Sequence, residues 1–241
     1  MLDLTSLWDF DDPAASENRL RRAIRGAGAR DQHILMTQLA RAVGLQGRYD
    51  DGLGLLAATT AVDAEVAARI HLERGRILRT RGLLDAARPE FEAAAAAAIG
   101  CDEVHVDALH MIALDAPPEV QGALHEEALR IARASADLRA RDWDASLLNN
   151  IGMAHADAGE WHDALAAFEN AWGARERQGD AGRTRIARWM VARALRHLGR
   201  TEDALAMQRS IKVELEAIGE EDPHVDEELA LLEVARRGHS R

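Results

Sequence analysis

Aromatic residues are scarce in this sequence: three phenylalanines, five tryptophans and one tyrosine make up 4% of its 241 residues. Strands are enriched in aromatic and β-branched residues, whereas alanine, which is abundant here, favours helices. The scarcity therefore argues against a β-rich fold. Because 47% of the residues are hydrophobic, the chain can bury a core, and disorder of the whole chain is excluded. We predict an all-α protein.

Basic residues are also fewer than acidic ones, 30 against 41, which gives a formal net charge of -11. This charge opposes nonspecific attraction to nucleic acid or to an anionic membrane. No window approaches the roughly 18 consecutive apolar residues of a membrane-spanning helix. Cys101 is the single cysteine, so no internal disulfide forms, and residues 1–8 lack the basic residues of a signal peptide. We expect a cytoplasmic protein that binds neither nucleic acid nor membrane.

Motifs for catalysis and metal binding are missing from the sequence. No two of the ten histidines show the i, i+4 spacing with an acid that a helical zinc site needs, and His125-Glu-Glu-Ala-Leu has leucine where a zinc protease has its second histidine. There is no glycine-rich phosphate loop and no serine elbow. Asp102 and Glu103 disfavour a thiolate at Cys101. We predict no enzymatic activity, no cofactor and no metal.

What the sequence does contain is a recurring spacing of small and large residues. The small residue expected on the first helix of each pair aligns with Ala40, Gly75, His110, Gly152, Ala192 and Leu231, at intervals of 35, 35, 42, 40 and 39 residues. The third match, His110, is the weakest. In four units a second small residue is followed four positions later by a large one, namely Gly52 and Leu56, Ala87 and Phe91, Ala164 and Phe168, and Ala204 and Gln208. Gln208 is a polar departure from this pattern. Each unit is thus predicted to be a pair of amphipathic helices.

Glycines occur where the first helix of each pair must end. A left-handed residue at a helix C-terminus is least strained as glycine, and four positions fit, Gly47, Gly82, Gly159 and Gly199. The whole pattern, best formed from Leu148 to Trp172, resembles the tetratricopeptide repeat.

This resemblance implies a right-handed α-α superhelix of about 12 helices. We assign residues 1–12 to an N-terminal extension and 13–241 to one solenoid domain. The repeats are expected at 31–64, 65–100, 102–138, 142–179 and 181–219, followed by a capping helix at 223–237.

Prolines mark two helix starts and one irregularity. Asp12-Pro13 and Asp222-Pro223 each place an N-cap acceptor before a proline, which the first helical position tolerates. Residues 116–119, Ala-Pro-Pro-Glu, stand where the third repeat should have its glycine turn. They predict an irregular hinge and an irregular second helix in that repeat.

The resemblance also implies that the first helices of successive pairs line a groove that binds a partner. The groove residues carried over onto this sequence are Gln38, Arg41, Arg69, Glu73, Arg76, Arg79, Asp107, Met111, Asn149, Asn150, Met153, Asp157, Trp189, Arg193, Arg196 and His197.

The chemistry of these positions favours a peptide ligand. Arg76 and Arg79, like Arg193 and Arg196, are three residues apart and share a helix face, which favours an acidic segment. The alternative is that these arginines pair with neighbouring acids of the same chain. The adjacent asparagines would bond a peptide backbone, as is usual in the family, and Trp189 would be an apolar anchor.

The function predicted from this resemblance is a scaffold or adaptor that binds a protein or peptide segment. One alternative is a regulatory sensor that responds to a signalling peptide. The other is a homodimer or larger oligomer assembled through the terminal helix, which charges at Leu229 or Leu232 would abolish.

Residues 7–12, Leu-Trp-Asp-Phe-Asp-Asp, combine two aromatic residues with three acids. They have two interpretations: either they occupy the groove of their own chain or of a neighbour, or Trp8 and Phe10 cover the open end of the first helix pair while the acids favour the start of the next helix.

Overall fold

The computed structural model describes residues 2–239, and in this part of the chain it contains helices and no strand. Its α-helices are Pro13–Gly26 (α1), Ala29–Leu45 (α2), Tyr49–Ala57 (α3), Ala64–Thr80 (α4), Leu84–Ala97 (α5), Asp102–Leu114 (α6), Pro118–Ala134 (α7), Leu138–Arg141 (α8), Asp144–Asp157 (α9), Trp161–Gln178 (α10), Ala181–His197 (α11), Thr201–Ala217 (α12) and Pro223–His239 (α13). A single 3₁₀ turn, Thr5–Leu7, precedes them. The predicted all-α fold class is confirmed. Residues 1, 240 and 241 of the predicted intervals lie outside the described part.

The chain forms two compact units. Unit 1 contains the residues up to Ala116 together with Ser135–Ala140, and unit 2 contains Pro117–Ala134 together with the residues from Arg141 onward. In unit 1, α2 packs on α1, α3 and α4, and α4 packs on α5. In unit 2, α9 packs on α7 and α10, and the series continues from α10 through α11 and α12 to α13. Each unit is therefore a stack of paired helices.

The two helix starts predicted from proline are confirmed. The carboxylate of Asp12 accepts a hydrogen bond from the Ala15 amide at 2.9 Å, and α1 begins at Pro13. Asp222 accepts from the His224 amide at 2.9 Å, and α13 begins at Pro223. Both caps satisfy amides that have no partner within the helix.

The predicted turn glycines are confirmed as well. All four adopt positive φ angles between 74° and 84° after a first helix, at Gly47, Gly82, Gly159 and Gly199. The irregular second helix predicted for the third repeat is wrong, because α7 runs without a break for 17 residues from Pro118. Pro117 and Pro118 stand just before and at the first helical position, where a missing amide proton costs no intrahelical bond.

Two glycine–phenylalanine pairs show why small and large residues alternate. A Cβ added at Gly75 would lie 2.5 Å from the Phe91 ring, and one at Gly152 would lie 2.5 Å from the Phe168 ring. Both rings are almost completely buried. The phenylalanine ring of the second helix therefore occupies the space that glycine leaves on the first helix.

In the other two units with a recognisable small–large pattern, the first helix has alanine in place of this glycine, and the second helix has a side chain smaller than phenylalanine. Ala40 and Leu56 are buried in one cluster in unit 1. In unit 2, Gln208 of α12 is completely buried, and neither polar atom of its amide has a hydrogen-bond partner among the described residues. This residue is a local defect in an otherwise apolar core.

The terminal helix α13 packs onto unit 2 through Val225, Leu229 and Leu232. Leu231 and Val234 are its exposed apolar residues. The choice of Leu229 and Leu232 as interface positions is therefore wrong, because both side chains face the helices of their own unit. The predicted homodimer stays a prediction. No helix in the described range is both long and apolar enough to cross a membrane.

Candidate ligand-binding faces

The predicted groove residues divide equally between the two units. We call the first set the unit 1 face; it lies on α2, α4 and α6 and consists of Gln38, Arg41, Arg69, Glu73, Arg76, Arg79, Asp107 and Met111. We call the second set the unit 2 face; it lies on α9 and α11 and consists of Asn149, Asn150, Met153, Asp157, Trp189, Arg193, Arg196 and His197.

Arginines of the unit 1 face are joined to acids on α6, the next first helix, or directly after its end. Arg69 Nη2 lies 2.6 Å from Glu103 Oε2, and Arg79 Nε lies 2.8 Å from Asp115 Oδ1. Arg76 binds Asp107 on α6 and also Glu73 on its own helix, the latter at 2.7 Å. These pairs join α4 to α6, so the arginines serve the packing of the unit.

Burial makes this pairing necessary. Glu73 is 1% exposed and Arg69 is 4% exposed, and an isolated charge at such a depth is strongly destabilising. Burial opposes the charge on Arg76, but Asp107 and Glu73 outweigh that effect and raise the pKa of its guanidinium. Met111 packs in the buried cluster with Phe91 and therefore offers no surface to a ligand.

Arg41 is held differently from the other arginines of the unit 1 face. Its Nε lies 3.9 Å from Glu73, the longest of the ion pairs on this face. Burial and the neighbouring charge of Arg76 lower its pKa. Its guanidinium lies 5.3 Å from the ring centroids of both Trp8 and Phe10, which is the range of a cation–π interaction. Arg41 is thus a weakly neutralised cation covered by aromatic rings.

The unit 2 face contains an arginine without an acidic partner. Within residues 2–239, no carboxylate lies at salt-bridge distance from Arg193. Its guanidinium is instead 5.8 Å from the Trp161 ring centroid, and its Nη1 is 4.0 Å from the sulfur of Met153. By contrast, Arg196 on the same helix lies 2.6 Å from Glu228 of α13. Arg193 therefore has charge available for a ligand.

Aromatic and imidazole groups surround Arg193. The ring of Trp161, at the start of α10, is stacked on His197 with a centroid distance of 3.6 Å and an interplanar angle of 4°. Burial, together with the charges of Arg196 and Arg193, lowers the pKa of His197. An anion bound at Arg193 would reduce this positive field and raise the pKa of His197.

Polar groups on α9 complete the unit 2 face. Asn149 is half-buried, and among the described residues its amide makes no hydrogen bond. Asn150 Nδ2 lies 3.3 Å from His125 Nε2 of α7, so this amide has a role inside the unit. Asp157 is exposed at the end of α9. Asn149 and Met153 are four residues apart and therefore share the helix face that meets Arg193.

Beside Trp189 there is a largely apolar cavity of about 560 Å³. The Trp189 indole donates to the His224 carbonyl oxygen at 3.3 Å, which holds the ring at the cavity wall. The apolar side chains that line the cavity belong to α11, α12 and the start of α13, and they are Ile186, Trp189, Met190, Ile211, Leu215, Pro223 and Val225. A cavity of this kind suits an apolar side chain of a ligand.

Among the described residues, one group of side chains has metal-ligating atoms close together. Ligand atoms of His155, Glu160 and Asp163 lie within 4.8 Å of one another, and His155 Nδ1 is 2.7 Å from Glu160 Oε2. Glu160 and Asp163 are exposed at the start of α10. This His155–Glu160 bond already accounts for the arrangement. Burial raises the pKa of the Cys101 thiol, in agreement with the prediction that it is not a reactive thiolate.

Helix pairs that stack on one another into units define a helical repeat protein. Two family models, both described as tetratricopeptide repeat, match residues 37–100 and 143–211, which together are more than half of the chain. The chain belongs to the tetratricopeptide repeat family. This fold is typically non-catalytic and generally supports protein interaction. No curated protein matches the sequence.

Solved structures show the same fold at low sequence identity. The peptide-free quorum sensor NprR from B. thuringiensis is 16% identical, with a TM-score of 0.65 over 94% of this chain and 65% of NprR. BtubC from P. vanneervenii is 17% identical, with a TM-score of 0.61 over 92% of this chain and 95% of BtubC. NprR in complex with its cognate peptide NprX aligns with a TM-score of 0.53 and 16% identity over 94% of this chain and 67% of NprR. At these identities the likeness concerns the fold alone.

Sequence reasoning missed Trp161 and the cavity residues Ile186 and Leu215. Trp161 begins a second helix, whereas the repeat pattern assigns ligand contacts to first helices. Its ring reaches the α11 residues Arg193 and His197 because the turn before α10 brings it close to the following pair. The abrupt Gly159-Glu-Trp sequence at this turn is the one signal that could have indicated it.

Proposed function

We propose that this protein is a peptide-binding scaffold whose unit 2 face binds a segment that carries an acidic group and a large apolar side chain. The observation that supports this proposal most directly is the state of Arg193. In the part of the chain that the structure describes, five of the six arginines predicted for the groove are ion-paired, and Arg193 is the exception. A cation beside Trp161, without an acid of its own, suits a ligand carboxylate.

The neighbouring groups supply the rest of the recognition. Trp189 and Arg193 are four residues apart on α11 and therefore share one face. An apolar side chain in the cavity next to Trp189 would place the ligand along α11, with its acid near Arg193. The half-exposed Asn149 amide offers a donor and an acceptor to the peptide backbone.

Selection of random peptides displayed on phage, with the full chain as bait, tests the proposal. We expect selected peptides to be enriched in Asp or Glu together with a large apolar residue. Their binding, measured by fluorescence anisotropy, should weaken about tenfold or more in Arg193→Glu, because each lost charge-assisted contact is worth about 1.5–3 kcal/mol.

Arg22→Glu is the matched control. Arg22 is exposed on α1, and its guanidinium donates to the Asn18 carbonyl oxygen at 3.2 Å. The same charge reversal there should leave peptide affinity unchanged. Selected peptides without acidic enrichment, or equal affinities for wild type and Arg193→Glu, would contradict the proposal.

A further inference from the structure

The segment Leu2–Phe10, which we call the leading segment, lies against α2 of unit 1. Leu2 and Leu4 pack against the cluster that contains Ile34, and they share a cavity wall with Glu65 and Arg69 of α4. Trp8 packs against the cluster that contains Leu35 and Leu39 of α2. The segment thus runs along α2 in the same direction as the helix, from Ile34 near Leu4 to Arg41 near Phe10.

The aromatic end of the leading segment contacts two residues of the unit 1 face. The Trp8 indole Nε1 donates to the side-chain oxygen of Gln38 at 3.0 Å. The rings of Trp8 and Phe10 are stacked, 4.9 Å apart at 6°, and the Arg41 guanidinium lies over both. Gln38 and Arg41 are the two positions at which the repeat pattern places ligand contacts on α2.

These contacts are those of a docked peptide more than those of a core element. Only one 3₁₀ turn of the leading segment is regular, and none of its side chains is fully buried. Phe10 is 56% exposed although its ring covers Arg41. Besides Trp8 and Phe10, the segment is held by Leu2 and Leu4 and by hydrogen bonds between the Asp9 backbone and Ser16.

Charge supports the same interpretation. Residues 9–12 contain three acids, and Asp9 stands in the sequence between the two rings that cover Arg41. Asp9 is held by the Ser16 hydroxyl, which donates to its backbone carbonyl at 2.9 Å, and by Arg19 at 3.7 Å. Gln38 and Arg41 of the unit 1 face therefore hold the two rings, and Arg19 of the adjacent α1 holds the acid between them.

We propose that Gln38 and Arg41 form a binding site for a partner segment with the order aromatic, acidic, aromatic, and that the leading segment occupies this site in its own chain. The inference rests on the proposed peptide-binding role but concerns unit 1, and it is independent of Arg193. An external segment must displace Trp8 and Phe10, so its apparent affinity is reduced by the fraction of molecules in which they are docked.

The test uses the full chain and a fluorescein-labelled synthetic peptide of residues 1–12 as the probe. Trp8→Ala/Phe10→Ala should bind the peptide about tenfold or more tightly than wild type, because the internal competitor is lost. A peptide with alanine at its own Trp8 position should not bind. We call the Trp8→Ala/Phe10→Ala variant the released chain. Gln38→Ala/Arg41→Ala, introduced into the released chain, should abolish binding of the unaltered peptide.

Two further variants make the outcome decisive. Phe10→Ala alone removes an exposed ring and should give an intermediate gain in affinity even if the double variant is unstable. The same comparisons are made in an Arg193→Glu background, because the proposed unit 2 site could also take an acidic and aromatic peptide. The gain in affinity on release should persist in that background, which separates failure here from failure of the unit 2 proposal.

The inference is overturned if wild type and the released chain bind the peptide equally or not at all, while the released chain merely melts at a lower temperature. In that case Trp8 and Phe10 only cover the end of the stack. A concentration-dependent dimer that the peptide dissociates would also overturn it, since the segment would then dock on a second copy.

Discussion

In the described part of the chain, the arginines predicted for the groove are ion-paired on the unit 1 face, whereas on the unit 2 face one of the two is not. On the unit 1 face, Arg69, Arg76 and Arg79 of α4 each reach an acid of the following first helix or its end. On the unit 2 face, Arg196 is paired with Glu228 of α13. Arg193 instead lies against the Trp161 ring and the sulfur of Met153. The position of an arginine in the repeat thus predicts the face on which it lies. The residues that pack next to it determine whether it is ion-paired or available to a ligand.

The depth of burial explains why charged groups of the unit 1 face need partners of opposite charge and Arg193 does not. Glu73 in unit 1 is 1% exposed and is held by Arg76 and, more distantly, by Arg41. Arg193 remains half-exposed, so water solvates its charge and no acid is required. The following predictions test this contrast, from the largest expected effect to the smallest.

Arg76→Ala should lower the free energy of unfolding by about 3–5 kcal/mol, because it leaves Glu73 and Asp107 without their partner. Arg193→Ala should lower it by about 0.5 kcal/mol or less, as is usual for a surface substitution. Urea unfolding followed by circular dichroism measures both. Similar losses in the two variants would show that the arginines of the two faces are equivalent.

Gln208→Met should raise the free energy of unfolding by about 1–3 kcal/mol, because it removes a buried amide that has no hydrogen-bond partner among the described residues. Gln46→Met is the matched control in unit 1. The Gln46 amide donates to Glu17 and to the Ala42 carbonyl oxygen, so the same substitution there should destabilise. A loss of stability in Gln208→Met would indicate that this amide is hydrated or bonded in solution.

Acid should weaken unit 1 through Glu65. Burial opposes ionisation of this carboxyl, but the hydrogen bond from Arg30 and the charge of Arg69 outweigh it and hold its pKa below the ordinary 4.5. The unfolded chain then binds the proton first as pH falls, so the stabilisation is present above about pH 4.5 and is lost as pH falls through the lower folded-state value.

Thermal unfolding at pH 7 and at pH 4 measures this effect. Wild type should lose more of its melting temperature between the two values than Glu65→Gln, which cannot titrate. Glu169→Gln, at an exposed position of α10 in unit 2, should behave as wild type does. An equal loss in all three proteins would mean that Glu65 does not contribute to the acid response.

Much of the local structure could be predicted because its causes lie close together in the chain. Asp12 and Asp222 cap the helices that follow them, and Gly47 and Gly82 take left-handed angles within a few residues of the helix that they end. The wrong prediction for α7 has a local origin as well: two consecutive prolines predict a disrupted helix, but Pro118 is the first residue of α7 and Pro117 precedes it.

The candidate sites could be predicted only in outline. First-helix positions were identified by spacing, yet Met111 is a core residue and Trp161, from a second helix, is part of the unit 2 face. For residues 7–12 two interpretations stood open, occupation of the groove or cover of the end of the first helix pair, and no local pattern could choose between them.

By itself, the sequence determined the helix pairs, their turns and the glycine–phenylalanine packing, because each of these depends on residues within one repeat. Only the tertiary structure decided which arginines are neutralised and where the leading segment lies. The acids that pair with Arg76, Arg69 and Arg79 stand 31, 34 and 36 residues further along the chain. Ion pairing depends on distance in space, and that distance is set by how one helix pair stacks on the next.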